Sequence, residues 1–254
     1  MNRLENKTAV ITGGAGGIGR AAASLFIAEG ANVILADLNE ADLQQACAEI
    51  GSNRISYVAG DVTRLADNEA MVRAAEERHG SLDVFLANAG IEGDVASIVD
   101  YDEQRFDQVL DINVKGPFLG LKAAIPAMEK SGGGSFIITS SVAGLQGAPN
   151  FSAYNTSKHA VIGLMKSAAL ECAAKGIRVN SVNPSQVETG MMRRIEEGIA
   201  PGEGEHIHQQ MIGTIPMGRY AESEDIARLM LFLASDDSSF ITGSVNRVDG
   251  GLTA

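Results

Sequence analysis

Along the first two-thirds of the chain, short β-branched runs alternate with longer amphipathic stretches, and few folds accept that rhythm. Thr8-Ala-Val-Ile-Thr12 lacks the two-residue polarity of a half-solvated strand, so it predicts a strand buried on both faces. A helix is expected over Arg20–Gly30, with Gly30 placed to stop it, followed by a strand at Asn32–Ala36 and a helix over Glu40–Ile50. A strand at Ile55–Ala59, a helix from about Leu65 to His79 and a strand at Leu82–Ala87 continue the series. After a loop rich in Gly and Asp near Glu92–Asp94, the pattern predicts a strand at Phe136–Thr139 and a long helix over Ser152–Lys175, ended by Gly176. A strand at Ile177–Val182, a helix over Glu224–Ala234 and a last strand at Ser244–Val248 complete it.

Parallel strands joined by helices need both sheet faces covered. The expectation is therefore a single α/β domain over residues 1–254, a doubly wound parallel sheet of about seven strands with helices on both faces. One segment breaks the pattern. Glu188–Ile215 carries Gly190, Gly198, Gly202, Gly204 and Gly213 among charges and methionines, and it is expected to be an irregular substrate lid at about 188–215.

The glycine-rich stretch Thr12–Gly19 follows the first strand directly and opens the first helix. Two registers fit, Gly14/Gly16/Gly19 and Gly13/Gly17/Gly19; either lets backbone N–H groups approach a pyrophosphate at a helix N-terminus. Asp37 ends the second strand, where a carboxylate accepts hydrogen bonds from an adenosine ribose and repels a 2′-phosphate. Neither Gly14 nor Leu38 supplies the cation an NADP site wants, so NAD is the expected cofactor. The competing reading is that Asp37 caps the next helix, a role equally open to Asn39.

Composition removes other classes. A net charge of −12 disfavours nucleic acid and anionic membrane as partners. The polar N-terminus has no signal-peptide core, and no later stretch is long enough to span a bilayer. Cys47 and Cys172 stand alone without a CxxC and read as buried thiols. His206 and His208 lack a matching acid cluster and read as surface residues, so no metal is expected. A cytoplasmic location fits these features.

Tyr154 and Lys158 lie at i and i+4, on one helix face. Alone, such a pair usually marks a solvated surface. Ser141 at the end of the preceding strand and Asn113 at the start of an earlier helix change its meaning. With Asp61-Val62, Asn88-Ala-Gly90, Asn183-Pro184 and Asp249-Gly-Gly251 added in this order, the chain resembles the short-chain dehydrogenase/reductase family over essentially its whole length.

That resemblance implies a Rossmann-type fold and NAD-dependent hydride transfer between a secondary alcohol and its ketone. It makes Tyr154 the proton-transfer residue, with Lys158 poising it and holding the nicotinamide ribose. A tyrosine must shift by roughly 3 units, about 4 kcal/mol, to work near neutrality, and an ammonium about 4 Å away in a partly screened site is worth on the order of 4 kcal/mol. Family spacing selects Ser141 over Ser140 to bind the substrate oxygen. Asn113 is implied to anchor a water between Lys158 and solvent; the alternative is a helix cap.

The implied cofactor contacts are Gly13, Gly17, Ile18, Gly19, Asp37, Leu38, Asp61, Val62, Asn88, Ala89, Gly90, Tyr154, Lys158, Pro184, Val187 and Thr189. Ser185 stands where the family usually has glycine. Val142, Gln146, Asn150, Gln186, Met191 and Met192 are expected to wall the substrate pocket, which suits a small or medium neutral alcohol, cyclic alcohol or diol. Arg193 and Arg194 read as an exposed basic helix start, the alternative being that a mobile lid brings one of them inward.

Two other functions compete. A 3-oxoacyl thioester reductase normally uses NADPH and docks an acidic carrier, against which Asp37 and the negative charge argue. A non-catalytic nucleotide-binding scaffold would not need the Tyr, Lys, Ser and Asn set. The family expectation is a homotetramer built on the helices near Asn113–Lys130 and Ser152–Lys175. Their Ala123-Ala124 and Ala168-Ala169 faces suit close packing between subunits or packing on the sheet.

Overall fold

The computed structural model describes residues 2–254, and the elements below are those of the described residues. In chain order they are β1 (Thr8–Thr12), α1 (Gly17–Ala28), β2 (Asn32–Asp37), α2 (Glu40–Ile50), β3 (Ile55–Ala59), α3 (Leu65–His79), β4 (Val84–Ala87), α4 (Glu103–Leu110) and α5 (Gly116–Lys130). There follow β5 (Gly134–Thr139), α6 (Ser152–Cys172), β6 (Ile177–Pro184), α7 (Gly190–Ile199), α8 (Gly204–Ile212), α9 (Ser223–Ala234) and β7 (Val245–Val248).

The seven strands form one sheet in the order β3-β2-β1-β4-β5-β6-β7, and every pairing is parallel. Successive side chains on a strand point to opposite faces, and that alternation divides the interior in two. Val10, Ile34, Phe85, Phe136 and Val179 point into a core covered by α3, α5 and α6. Ile11, Leu35, Leu86, Ile137 and Val182 point into a second core under α1, α2 and α9. This two-sided burial is why the strands read as continuous apolar runs. Phe85 and Phe136 stack at 4.9 Å in the first core, each burial contributing roughly 1.5–3 kcal/mol.

The strand order reverses between β1 and β4, and open sheets of this kind hold ligands in the crevice at such a switch point. The expected sheet and its strand count are therefore present, and several boundaries move. Helix α1 starts at Gly17 rather than Arg20, and β6 runs on to Pro184. The end of the Ser152–Lys175 helix tightens into a 3₁₀ turn over Ala173–Lys175.

Two segments depart from the sequence reading more substantially. The 188–215 stretch is two helices, α7 and α8, rather than an irregular loop. Asn113 does not begin a helix; it sits in a π turn, Asp111–Lys115, that joins α4 to α5. There the Gly116 N–H donates to the Asp111 carbonyl five residues back.

Two packing readings also resolve. Ala124, Ala168 and Ala169 are buried in the chain's own core, while Phe118 on α5 and Leu170 on α6 are exposed. His208, read as a surface residue, is buried against Glu196 (Nδ1–Oε1 2.9 Å) and the Tyr220 ring; His206 is exposed. The fixed charges of Glu188, Glu196 and Arg193 around it make that burial tolerable and tie α7 to α8.

Candidate active site

The site begins at the C-terminal ends of β1 and β4. Asn88 stitches them together, its side-chain amide donating to the Thr12 and Gly13 carbonyls at 3.2 and 3.3 Å. Thr12 Oγ1 in turn accepts the Asn88 and Ala89 N–H groups at 3.0 and 3.1 Å. Thr139 Oγ1 donates to Asn88 Oδ1 at 3.1 Å, bringing in β5.

The glycine loop crosses this junction under tight steric limits. Gly13 has φ +63°, and a Cβ there would stand 2.9 Å from Ala89 Cα. A Cβ on Gly19 would meet the Gly13 carbonyl at 2.3 Å. Both positions therefore require glycine. Gly13, Gly16, Gly17 and Ile18 face the cleft, whereas Gly14 and Gly19 do not line it. No side chain caps the α1 N-terminus at Gly16 and its first turn holds no acid, so this end is prepared for an anion.

Asp37 lies at the far side of the same cleft. Its carboxylate accepts from Ala15 N–H at 3.2 Å and Leu38 N–H at 2.8 Å, which fixes its direction. Asn39, not Asp37, caps α2 through Ala41 and Asp42 N–H. This removes the competing structural role for Asp37.

The cleft is about 570 Å³ and runs from Asp37, Leu38, Asp61 and Val62 past Asn88, Ala89 and Gly90 to Ser141, Tyr154 and Lys158. Pro184, Val187 and Thr189 line it, as do Val142, Gln146, Gln186, Met191 and Met192. Among the expected residues, Gly19, Asn113 and Asn150 are not on its wall. Asn150 instead holds φ +68° in a turn whose carbonyl accepts from Ala96 N–H at 3.0 Å.

Helix α6 carries Tyr154 and Lys158. The Lys158 ammonium stands 5.4 Å from the Tyr154 ring centroid and donates to the Thr139 carbonyl at 2.9 Å. Ser140 Oγ donates to the Lys158 carbonyl at 2.9 Å and Ser141 Oγ more loosely to the Pro184 carbonyl at 3.3 Å, and of the two it is Ser141 whose hydroxyl acts on the phenol's titration. Asn113, brought inward by the π turn, exchanges two hydrogen bonds with the Ile91 backbone at 2.8 and 2.9 Å. It also donates to Ser157 Oγ at 3.0 Å, and Ser157 donates to the Tyr154 carbonyl at 2.7 Å. Both Asn113 amide donors are thus committed to protein, so its side chain positions the Gly90 turn against α6.

Burial dominates the electrostatics of the pair. Burial pushes the Tyr154 phenol up to about 12, the Glu92 carboxylate pushing the same way and the Ser141 hydrogen bond opposing both. Burial pushes Lys158 down to about 8. Lys158 stands 5.4 Å from the ring centroid and is itself desolvated.

This has a measurable consequence. Unfolded, Lys158 regains about 10.4 and binds more protons than the folded chain between pH 8 and 10.4, so stability rises with pH across that interval. Wild type should gain about 3 kcal/mol relative to Lys158→Met over it. A melting-temperature difference that stays flat from pH 7 to 10.5 would contradict the buried ammonium.

Sequence reasoning left open an inward Arg194 but did not foresee its pairing with Glu92. Arg194 of α7 lines the wall and forks onto Glu92 of the loop after β4, Nε to Oε1 at 2.5 Å and Nη2 to Oε2 at 3.3 Å. The helical spacing of Met191, Arg194 and Ile195 was the available signal for one shared face. Met211 of α8 and Leu252 near the C-terminus also reach the cleft.

Among the described residues, no helix is long and apolar enough to cross a membrane, and no group of three or more His, Cys, Asp or Glu could hold a metal.

A family model described as enoyl-(acyl carrier protein) reductase matches residues 13–253. The chain is 43% identical to trans-4-hydroxycyclohexanecarboxylate dehydrogenase of Sinomonas cyclohexanicum, over 100% of this chain and 95% of that protein. Crystalline levodione reductase superposes with a TM-score of 0.95 at 35% identity, covering 98% of each chain. An NAD⁺-bound xylitol dehydrogenase gives 0.91 at 35% identity, covering 98% of this chain and 99% of that one.

Proposed function

The chain belongs to the short-chain dehydrogenase/reductase family, and from that premise we propose that it interconverts a secondary alcohol and its ketone using NAD, with Tyr154 moving the proton. The observation that carries this reading is the convergence of Tyr154, Ser141 and Lys158 on one cleft whose other end holds Asp37 and the α1 N-terminus.

The residues at that other end fit a dinucleotide. Glycines leave the α1 N-terminus open for a pyrophosphate, and Asp37 is aimed at the ribose position by two backbone donors. Asp37 also favours NAD over NADP. When bound, NAD supplies a hydride acceptor and a positive charge.

A phenol at about 12 is a proton donor at neutral pH, which is what ketone reduction asks of Tyr154. Alcohol oxidation asks the reverse and needs neighbouring positive charge. A unit charge a few ångströms away in a partly screened site is worth roughly 4 kcal/mol, or about 3 pKa units. Ser141 donates to the substrate oxygen, and Lys158, held by Thr139, keeps positive charge beneath the phenol. Asn113 acts at one remove, as a positioning residue.

The relatives act, by their names, on a hydroxycyclohexanecarboxylate, levodione and xylitol, which supports cyclic alcohols and polyols as the substrates to try first. Gln186 Oε1 is buried without a donor beside the cleft, a cost of roughly 1–3 kcal/mol that a ligand N–H or O–H would relieve. Unpaired Cys47 and Cys172 suit a reducing cytoplasm. The exposed Phe118 and Leu170 on α5 and α6 suit assembly through these helices into a tetramer.

Absorbance of NADH, followed with a panel of cyclic and acyclic secondary alcohols and their ketones, tests the reading. Oxidation should speed up and reduction slow down as pH rises. A panel without turnover in either direction would overturn it.

A further inference from the structure

Arg194 and Glu92 form a forked pair where α7 crosses the loop after β4. The Glu92 side chain is 10% exposed and the Arg194 side chain 64% exposed. The arginine, not the acid, is on the cleft wall. Gly198 of α7 lies against Val95 of the same loop, where a Cβ would approach Val95 Cγ2 to 3.0 Å, so helix and loop meet along a line rather than at one contact. The guanidinium folds back along α7, its Nη1 lying 3.7 Å from where a Cβ on Gly190 would stand.

A guanidinium carries five N–H donors in a fixed plane. Glu92 engages Nε and one Nη2 hydrogen, which leaves the Nη1/Nη2 edge for a second planar acceptor. Glu92 balances the arginine's charge, so the site suits one further negative charge better than two. The cleft that Arg194 and Tyr154 share has apolar wall residues in Val142, Met191, Ile195 and Met211. Arg194 and Tyr154 line the same cleft, so one bound molecule can meet both.

Resting on the secondary-alcohol reading above, we propose that the substrate carries a carboxylate several bonds from its carbinol carbon, that Arg194 binds this carboxylate, and that Glu92 holds Arg194 in place. The class is a hydroxy acid with an apolar or carbocyclic body, as opposed to an α-hydroxy acid, whose two groups lie too close together to span the wall. Arg194 is thus a specificity-determining residue and Glu92 a positioning residue.

The test compares 4-hydroxycyclohexanecarboxylate with 4-methylcyclohexanol, which match in size and differ in charge. The ratio of their kcat/KM values should fall about 10- to 100-fold in Arg194→Met, the size expected for a charged hydrogen-bonded contact, mostly through KM of the acid. Arg194→Lys should recover part of it. Because Arg194→Met leaves Glu92 buried without its partner, the double variant Glu92→Gln/Arg194→Met is needed and should show the same lowered ratio. A ratio within twofold of wild type in both Met variants would overturn the proposal.

Calorimetric titration of cyclohexanecarboxylate, which has no hydroxyl to oxidise, into the NADH complex separates the two readings. Arg194-dependent binding without turnover of either alcohol would sink the reaction and spare this site. Turnover of 4-methylcyclohexanol with no binding of cyclohexanecarboxylate would do the opposite.

Discussion

Tyr154→Phe should lower kcat by roughly 10³-fold or more while NADH affinity changes by less than about twofold. The ring stays, so the packing of α6 is kept; only the hydroxyl proposed to exchange the proton is lost. No neighbour can replace it. Ser141 does not ionise in the working range, and Lys158 is committed to the Thr139 carbonyl beneath the ring. Fluorescence titration of NADH alongside steady-state rates makes the comparison. Residual kcat above a tenth of wild type would take the proton-transfer role away from this tyrosine.

The second large effect is expected at the opposite end of the cleft. Asp37→Ala should reduce the NAD-over-NADP preference in kcat/KM by about 100-fold. Removing the carboxylate deletes hydrogen bonds to the ribose and also the repulsion that a 2′-phosphate meets. A charge pair a few ångströms apart at a half-exposed site is worth a few kcal/mol, and 1.4 kcal/mol is tenfold. The substitution does not remove a helix cap, because Asn39 fills that position. An unchanged cofactor ratio would mean that the discrimination comes from elsewhere in the loop.

Much of this arrangement was legible in the residues, for identifiable reasons. β1, β2 and β5 are apolar on both faces because two separate cores claim alternate side chains, and that requirement leaves its mark on sequence. The glycine loop, Asp37 and the Tyr154/Lys158 pair were readable because chemistry and backbone sterics together allow few substitutes at each position.

What escaped the sequence reading depends on distant contacts. Glycines made 188–215 look irregular, yet Gly190 opens α7 and Gly198 serves close approach to Val95 within it. His208 is buried only because Glu188, Glu196 and Arg193 come from other turns of the same region. Helix α4 is polar over most of its length, and its start is set by the Asp102 cap. The Tyr154 titration followed from desolvation, which spacing along a helix does not encode.

The π turn between α4 and α5 makes this stretch sensitive to length rather than to composition. Deleting one residue from 111–115 would restore regular winding and rotate the upstream helix by about 100° relative to α5. Asn113 would then swing off Ile91 and Ser157 even with its identity preserved. An aligner that slides a gap through these five positions will therefore nominate the wrong side chain to face the Gly90 turn, whatever residue types it matches.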